Sequence, residues 1–433
     1  MKFIIIFILS IFNANVIFAA EILTYLENAY QNNPTLNAER KNYKAIKENI
    51  NISRSEFLPN ISISGSQNSQ QNSNRTNQAG ATLLDTSNTS EEQSVSVEQK
   101  IFQGFQGYNS VKKSILESEQ AALKLKNIEQ QILLKSANAY YDLIYKTENT
   151  QFNLANVDLF ERQVETDSSR LQKGEITLTD LAQSESSLAG ANAKFIAAET
   201  KLLIAKSNFE KIIRLPAPEE LNKDNLIKNF SLNFPISLNK ALIFSEKNNP
   251  KLVLAKLDYE ISKKNVDIEK SKFLPSASVN YTQSQSKDFS SSVDKNDQES
   301  LKATVTIPIF KGGKNYSSLK KVIFKKEQNS LILQDTINQV KIDTANSWST
   351  YQSSASVLKA TQAQVKAAEI ANEGITLEYD SGNTRTTLEV IQSRSLLLDA
   401  RISNAIAERN FSVSKFELLA VIGELTLENL KRS

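Results

Sequence analysis

The stretch "NNPTLNAERKNYKAIKENINISRSEFLPNISIS" runs from Asn32 to Ser64, and "NNPKLVLAKLDYEISKKNVDIEKSKFLPSASVN" runs from Asn248 to Asn280. The two align without a gap at an offset of 216 positions. Asn-Asn-Pro opens both, Tyr43 falls on Tyr259, and Phe57-Leu58-Pro59 falls on Phe273-Leu274-Pro275. Each begins with a helical pattern, at residues 36–57 in the first. Proline disfavours helix at the residue before it, so each Phe-Leu-Pro ends a helix. Alternation then takes over: Ile61 and Ile63 with Ser62 and Ser64 in the first stretch, Ala277, Val279 and Tyr281 in the second. That is the period of a strand with one apolar face.

The match extends outward. "IFQGFQGYNSVKKS" from Ile101 pairs with "IFKGGKNYSSLKKV" from Ile309, and Gly174 pairs with Gly382 at the same offset of 208. One position later in register, "TDLAQS" from Thr179 pairs with "LEVIQS" from Leu388, which sets Asp180 over Glu389. So many colinear matches mark an internal two-fold repeat. The first copy is read over 21–213, a connector and the start of the second copy over 214–247, and the second copy over 248–433. Strands are expected at about 60–70 and 94–103, then at about 276–286 and 301–310, each pair separated by a polar loop of Asn, Gln and Ser. The clearest strand is "LKATVTIPIF", with Leu301, Ala303, Val305, Ile307 and Ile309 on one face and Lys302, Thr304 and Thr306 on the other.

After each strand pair comes a long helical pattern, about Tyr108–Leu171 and Tyr316–Tyr379. Ala121, Leu125, Ile128, Ile132 and Ala139 follow the spacing of coiled-coil packing. About sixty helical residues would extend about 90 Å, too long for a compact globule. A second helix returns over 178–213 and over 386–422. Four strands of outer-membrane length cannot close a barrel, since the smallest have about eight. Open edges in lipid leave backbone groups unpaired. Closure therefore calls for further copies of the chain, and three copies supply a twelve-stranded barrel by symmetry.

Composition narrows the function. Among 433 residues there is no Cys and no His, and the formal charge is only +3. Thiolate chemistry is excluded, and the commonest general base and metal ligand is missing. No catalytic chemistry, cofactor or metal is expected, and the balanced charge does not suggest a nucleic-acid partner. The start, "MKFIIIFILSIFNANVIFAAE", has Lys2, a short apolar run and Ala19-Ala20, which reads as a secretory signal peptide over 1–20. The apolar run is too short for a membrane span.

The order and duplication of Asn-Asn-Pro, Phe-Leu-Pro, Ile-Phe-x-Gly and the helix-turn glycines resemble the TolC-like outer-membrane efflux family over the whole mature chain. Lacking a lipidation Cys, the chain is most similar to the unlipidated TolC-type branch. The resemblance implies an α+β channel-tunnel: a homotrimer whose barrel lies in the outer membrane and continues into a long α-helical barrel in the periplasm. It implies a periplasmic adaptor and an inner-membrane transporter as partners. It also implies that the turns at Gly174 and Gly382 form the periplasmic entrance. The family's gate pattern is a Tyr, two residues, Gly, one residue, Arg, an acid four residues on and another three beyond. Tyr379, Gly382, Arg385 and Glu389 match it in order, with one extra residue between Gly and Arg, and the last acidic position is Gln392. The resemblance implies that Tyr379 and Arg385 bond to the turn at Thr179 and Asp180 and hold the entrance shut. Glu389 would form a selectivity ring whose mutual repulsion raises the carboxyl pKa. The alternative for Glu389 is a local pair with Arg385, four residues before it.

The reading is a passive exit duct of a tripartite efflux or type I secretion system. The alternative is a non-channel, extended coiled-coil structural or adhesin-like surface protein, which would not conduct ions.

Overall fold

The computed structural model describes residues 22–218, 234–290, 293–381 and 385–431. The leader expected at 1–20, part of the connector and Gly382 lie outside these residues.

The Asn-Asn-Pro motifs have a definite physical task. Helices α1 (Ile22–Asn32) and α2 (Pro34–Ser55) meet at Asn33. Proline suits the first helical position, where no N–H is needed. The Asn33 side-chain oxygen accepts from the N–H groups of Thr35 (3.0 Å) and Leu36 (3.3 Å), which caps α2. Beyond the strands the chain forms α3 (Gln106–Gln172) and α4 (Leu178–Ile213). The Asn33 amide donates to the carbonyl of Ile212 (3.2 Å), where α4 leaves acceptors without helical partners.

The second half repeats the device. Helices α5 (Leu238–Asn248) and α6 (Pro250–Ser271) meet at Asn249. Farther along lie α7 (Lys314–Asp380), α8 (Thr387–Val421) and α9 (Leu427–Lys431). The Asn249 amide donates to the carbonyl of Val421 (2.7 Å) at the end of α8. Gly423 makes this approach possible. Its φ is +80°, and a Cβ there would sit 2.2 Å from the Asn248 carbonyl oxygen.

Strands β1 (Asn60–Asn72), β4 (Thr86–Gln103), β5 (Ser276–Ser290) and β6 (Val293–Thr306) form one antiparallel sheet in the order β1-β4-β5-β6. A small hairpin, β2 (Arg75–Thr76) with β3 (Thr82–Leu83), lies within the β1–β4 connection. Direct pairing places Ile61, Val97, Tyr281 and Leu301 in one row and Asn60, Glu98, Asn280 and Lys302 in the next. Side chains alternate along each strand, so these rows define two faces. In the paired register one face carries only Ser, Thr, Asn, Gln and the charged Glu92, Glu98, Lys100 and Lys302. The other is apolar near the Phe-Leu-Pro ends, with Ile61, Ile63, Val95, Val97, Val279, Tyr281, Leu301 and Val305. It is polar farther out, at Gln67, Glu91, Gln285 and Asp297.

The strands differ from their expected extents. Strand β4 starts at Thr86 rather than about residue 94, and β6 runs Val293–Thr306 rather than about 301–310. The Asn-, Gln- and Ser-rich segments expected as loops are largely strand, because backbone pairing such as Gln285↔Asp297 and Gln67↔Glu91 continues where both faces are polar. Alternation in hydrophobicity cannot report a strand of that kind. At the other end Ile307 and Ile309 leave the ladder beside Pro308, which has no N–H to donate.

The chain divides into two compact units, one within 1–37, 128–249 and 341–433, the other within 38–127 and 250–340. In the first, an aromatic chain forms the core. Tyr25 packs on Tyr140 (5.8 Å) and Phe209 (5.3 Å), Tyr140 on Tyr141 (5.4 Å), and Tyr141 on Phe416 (6.1 Å). The second holds the four-stranded sheet. Large apolar side chains remain exposed on the long helices, among them Ile196, Leu203, Leu331, Ile370 and Leu396. Among the described residues no helix is long and apolar enough to cross a membrane.

Candidate functional site

The α3–α4 turn is built from Gly174 and Thr177. Gly174 has φ +74°. Its N–H donates to the carbonyl of Leu171, and the Glu175 N–H donates to that of Arg170 (both 2.9 Å). This is the doubly bonded glycine ending that satisfies free helix carbonyls. Thr177 then opens α4 reciprocally with Asp180: the Asp180 N–H donates to Thr177 Oγ1 (3.3 Å) and the Thr177 N–H to Asp180 Oδ2 (2.9 Å). The Thr177 N–H and hydroxyl hold the Asp180 carboxyl below its usual pKa.

At the second turn, Thr386 and Glu389 form the same box at the start of α8. The Thr386 N–H donates to Glu389 Oε2 (2.8 Å), and the Glu389 N–H to Thr386 Oγ1 (3.3 Å). The other Glu389 oxygen accepts from Arg385 Nη1 (3.0 Å), while Arg385 Nε donates to Glu378 (2.6 Å). The Thr386 N–H first, and then Arg385, hold the Glu389 carboxyl below its usual value. Within one chain this is opposite to the rise expected for a ring of repelling carboxylates. The local Arg385–Glu389 pair is present. Gln392 is exposed one turn farther on.

Tyr379 is buried, with 4% of its surface exposed. Its hydroxyl donates to Asp167 Oδ1 (2.8 Å) and lies 3.1 Å from the Thr387 hydroxyl. Asp167, itself fully buried, also accepts from Gln163 Nε2 (3.0 Å) and from the Ser184 hydroxyl (2.5 Å). Burial, with Asp167 adding to it, raises the Tyr379 phenol above its usual pKa and keeps it a donor. The Arg170 guanidinium stands 4.6 Å from the Tyr379 ring centroid, a cation over an aromatic face. Farther along the helices, Val157, Phe160 and Ala191 pack with Ile391 in an apolar layer. One polar cluster thus joins α3, α4, α7 and α8.

The structure therefore places the expected residues in two groups. Tyr379 bonds to the first-repeat helices, but at Asp167 and Gln163 rather than at Thr179 and Asp180. Within this chain Arg385 is engaged by Glu378 and Glu389, and Asp180 by its own cap. Asp167, Gln163, Ser184 and Thr387 were not anticipated from sequence. For Gln163 and Asp167 a signal was available: with Asn153 and Phe160 they follow heptad-like spacing on α3, where all four are buried, so polar residues occupy core positions.

The sequence model of the outer membrane efflux protein family matches residues 25–213 and 245–424, nearly all of the described helices and strands. The chain belongs to the outer membrane efflux protein family. Among its relatives, the outer membrane efflux protein BepC of Brucella suis biovar 1 (strain 1330) is 25% identical over 94% of this chain and 86% of BepC. The outer membrane protein TolC of Vibrio cholerae serotype O1 is 23% identical over 96% of this chain and 94% of its own. The alkaline protease secretion protein AprF of Pseudomonas aeruginosa is 19% identical over 88% and 80%. In fold, the chain is similar to the CmeC outer membrane channel of Campylobacter jejuni, with a TM-score of 0.81 at 14% identity, covering 93% of this chain and 86% of that one. The efflux protein is accordingly an outer-membrane protein of a channel family whose members are not enzymes.

Proposed function

We propose that this efflux protein is a passive exit duct that works as a homotrimer. Three four-stranded sheets close into a twelve-stranded barrel in the outer membrane, and the two sequence repeats supply the helices of a periplasmic helical barrel. The observation that carries this reading is the sheet itself. It has one wholly hydrophilic face, a second face with an apolar band, and outer strands β1 and β6 each paired on one side only. In lipid, unpaired strand edges cost several kcal/mol per group, and closure removes them. Apolar side chains exposed on the long helices support association with further copies.

In this reading the turns at Gly174 and Gly382 form the periplasmic entrance, with Tyr379, Arg385, Thr179 and Asp180 as gate residues and Glu389 with Gln392 as the selectivity position. A periplasmic adaptor and an inner-membrane transporter supply energy and cargo, as in an efflux or type I secretion assembly. The duct itself performs no catalysis. Native mass measurement in mild detergent should give three chains, and planar bilayers should show discrete conductance steps. A monomer or dimer that still conducts would refute the trimer. A trimer that never conducts would point instead to an extended structural protein.

A further inference from the structure

At the Phe-Leu-Pro end of the sheet lies a cavity of about 400 Å³ lined by Lys100, Lys272, Lys311, Ser278, Thr304 and Asn315. Lys100, Ser278 and Thr304 bring the hydrophilic face to this cavity, and Phe102 and Ala277 reach it beside the β4 bulge between Lys100 and Phe102. The lysines are not equivalent. Lys272 is neutralised by Glu269 at 2.6 Å. Lys100 and Lys311 have no ion-pair partner among the described residues. Glu98 also lines the cavity but likewise forms no ion pair there. Gln106 and Asn315, in the first turns of α3 and α7, bring the positive ends of two 67-residue helices to the same place. Ser278, Thr304 and Thr306 contribute hydroxyls from the sheet, and Phe102, Leu274, Ala277 and Pro308 form the apolar part of the lining. Lysines without ion-pair partners that share a cavity with hydroxyls match the oxygens of a phosphate or carboxylate, which accept charge-assisted hydrogen bonds.

We infer that this cavity is a binding site for small multivalent oxyanions, with Lys100 and Lys311 as its charged contacts and Ser278 and Thr304 as donors from the sheet. The inference rests on the duct reading in one respect only: if the hydrophilic face lines the barrel lumen, three copies place six unpaired lysines around it. Anionic groups on a passing solute would then pause at this collar, and the wall above it offers them no apolar side chain.

The test uses the full chain in detergent at low ionic strength, titrated with inorganic pyrophosphate and followed by calorimetry. The native protein should bind saturably. The double variant Lys100→Gln/Lys311→Gln should lose about tenfold or more in affinity, as expected when two charged contacts go. Lys295→Gln, on the opposite face and beside Asp297 (3.3 Å), should bind like the native protein. Equal binding by all three proteins, equal losses in both variants, or no saturable binding overturns the inference. In planar bilayers, pyrophosphate should reduce the native current and spare the double variant. If the protein binds pyrophosphate as stated but never conducts, the duct reading fails while the site stands.

Discussion

Replacing Tyr379 by Phe removes one oxygen and little else. The ring keeps its volume in a site that is 4% exposed, and Arg170 keeps an aromatic face at 4.6 Å. The lost atom is the donor to Asp167 Oδ1 (2.8 Å), which retains only Gln163 at 3.0 Å on that oxygen. Thr387 loses a neighbour at 3.1 Å. A hydrogen bond to a charged group contributes about 1.5–3 kcal/mol, and a buried acceptor left short of donors keeps its desolvation cost. One chain should therefore be destabilised by about 1.5–3 kcal/mol at this cluster, a roughly ten- to hundredfold shift between joined and separated helix pairs. Planar-bilayer recording of Tyr379→Phe should show larger or more frequent openings than the native channel. Denaturant unfolding of Tyr379→Phe, Asp167→Asn and the double variant should give a coupling energy of about 1 kcal/mol or more. Additive effects together with native conductance would refute the idea that this bond restrains the helices.

The local engagement of Arg385 and Glu389 leads to a second test: Glu389→Ala should lower cation selectivity in reversal-potential measurements if the carboxylates face the pore, whereas unchanged selectivity would leave Glu389 as a helix cap and surface ion-pair partner. Both capping carboxylates have depressed pKa values, so their stabilisation is present above the ordinary values of 3.8 for Asp180 and 4.5 for Glu389 and is lost as pH falls through the lower folded values. The difference in stability between the native protein and Asp180→Asn/Glu389→Gln should therefore be full at neutral pH and vanish at strongly acid pH; a difference that grew on acidification would contradict the sign. Gly423→Ala should destabilise the protein by about 1–3 kcal/mol, because the backbone there is left-handed and the added Cβ meets the Asn248 carbonyl; a native unfolding midpoint would show that α5 yields without cost.

How much of this was legible in the sequence depended on whether periodicity carried the signal. The long helices were, since their apolar spacing continues through dozens of residues; the pattern at Tyr108–Leu171 corresponds to a helix at Gln106–Gln172. Strand existence was legible where Ile61, Ile63, Val279 and Leu301 alternate with polar residues. Strand extent was not, because Gln67, Glu91, Gln285 and Asp297 make the face with the apolar band as polar there as the other face, and only backbone pairing defines the strand. The Asn-Asn-Pro motif was visible as a repeat, but its task was not. That task is a long-range bond, Asn33 to Ile212 and Asn249 to Val421, which no local pattern encodes. Tyr379 was singled out by resemblance, yet its partner Asp167 lies 212 positions away, so it could be recognised only as a carboxylate occupying a core position.

The division of labour at the helix turns follows from where water can reach. Arg385 and Glu389 are exposed, and their bonds close within a few residues of one another. Exposed pairs of this kind contribute about 0–1 kcal/mol and weaken with salt. They set the geometry of the α8 start but cannot by themselves hold two helix pairs together. The Tyr379–Asp167–Ser184–Thr387 cluster is buried and joins four helices, and separating them would leave a buried carboxylate without its donors. Under the duct reading, the resistance to opening within each chain therefore lies in the buried cluster. The exposed charges then remain available to sense what docks against the turns. An opening stimulus that acts only on Arg385 should accordingly be salt-sensitive and small, whereas one that parts α7 from α3 must break the Tyr379 bond and be felt at any ionic strength.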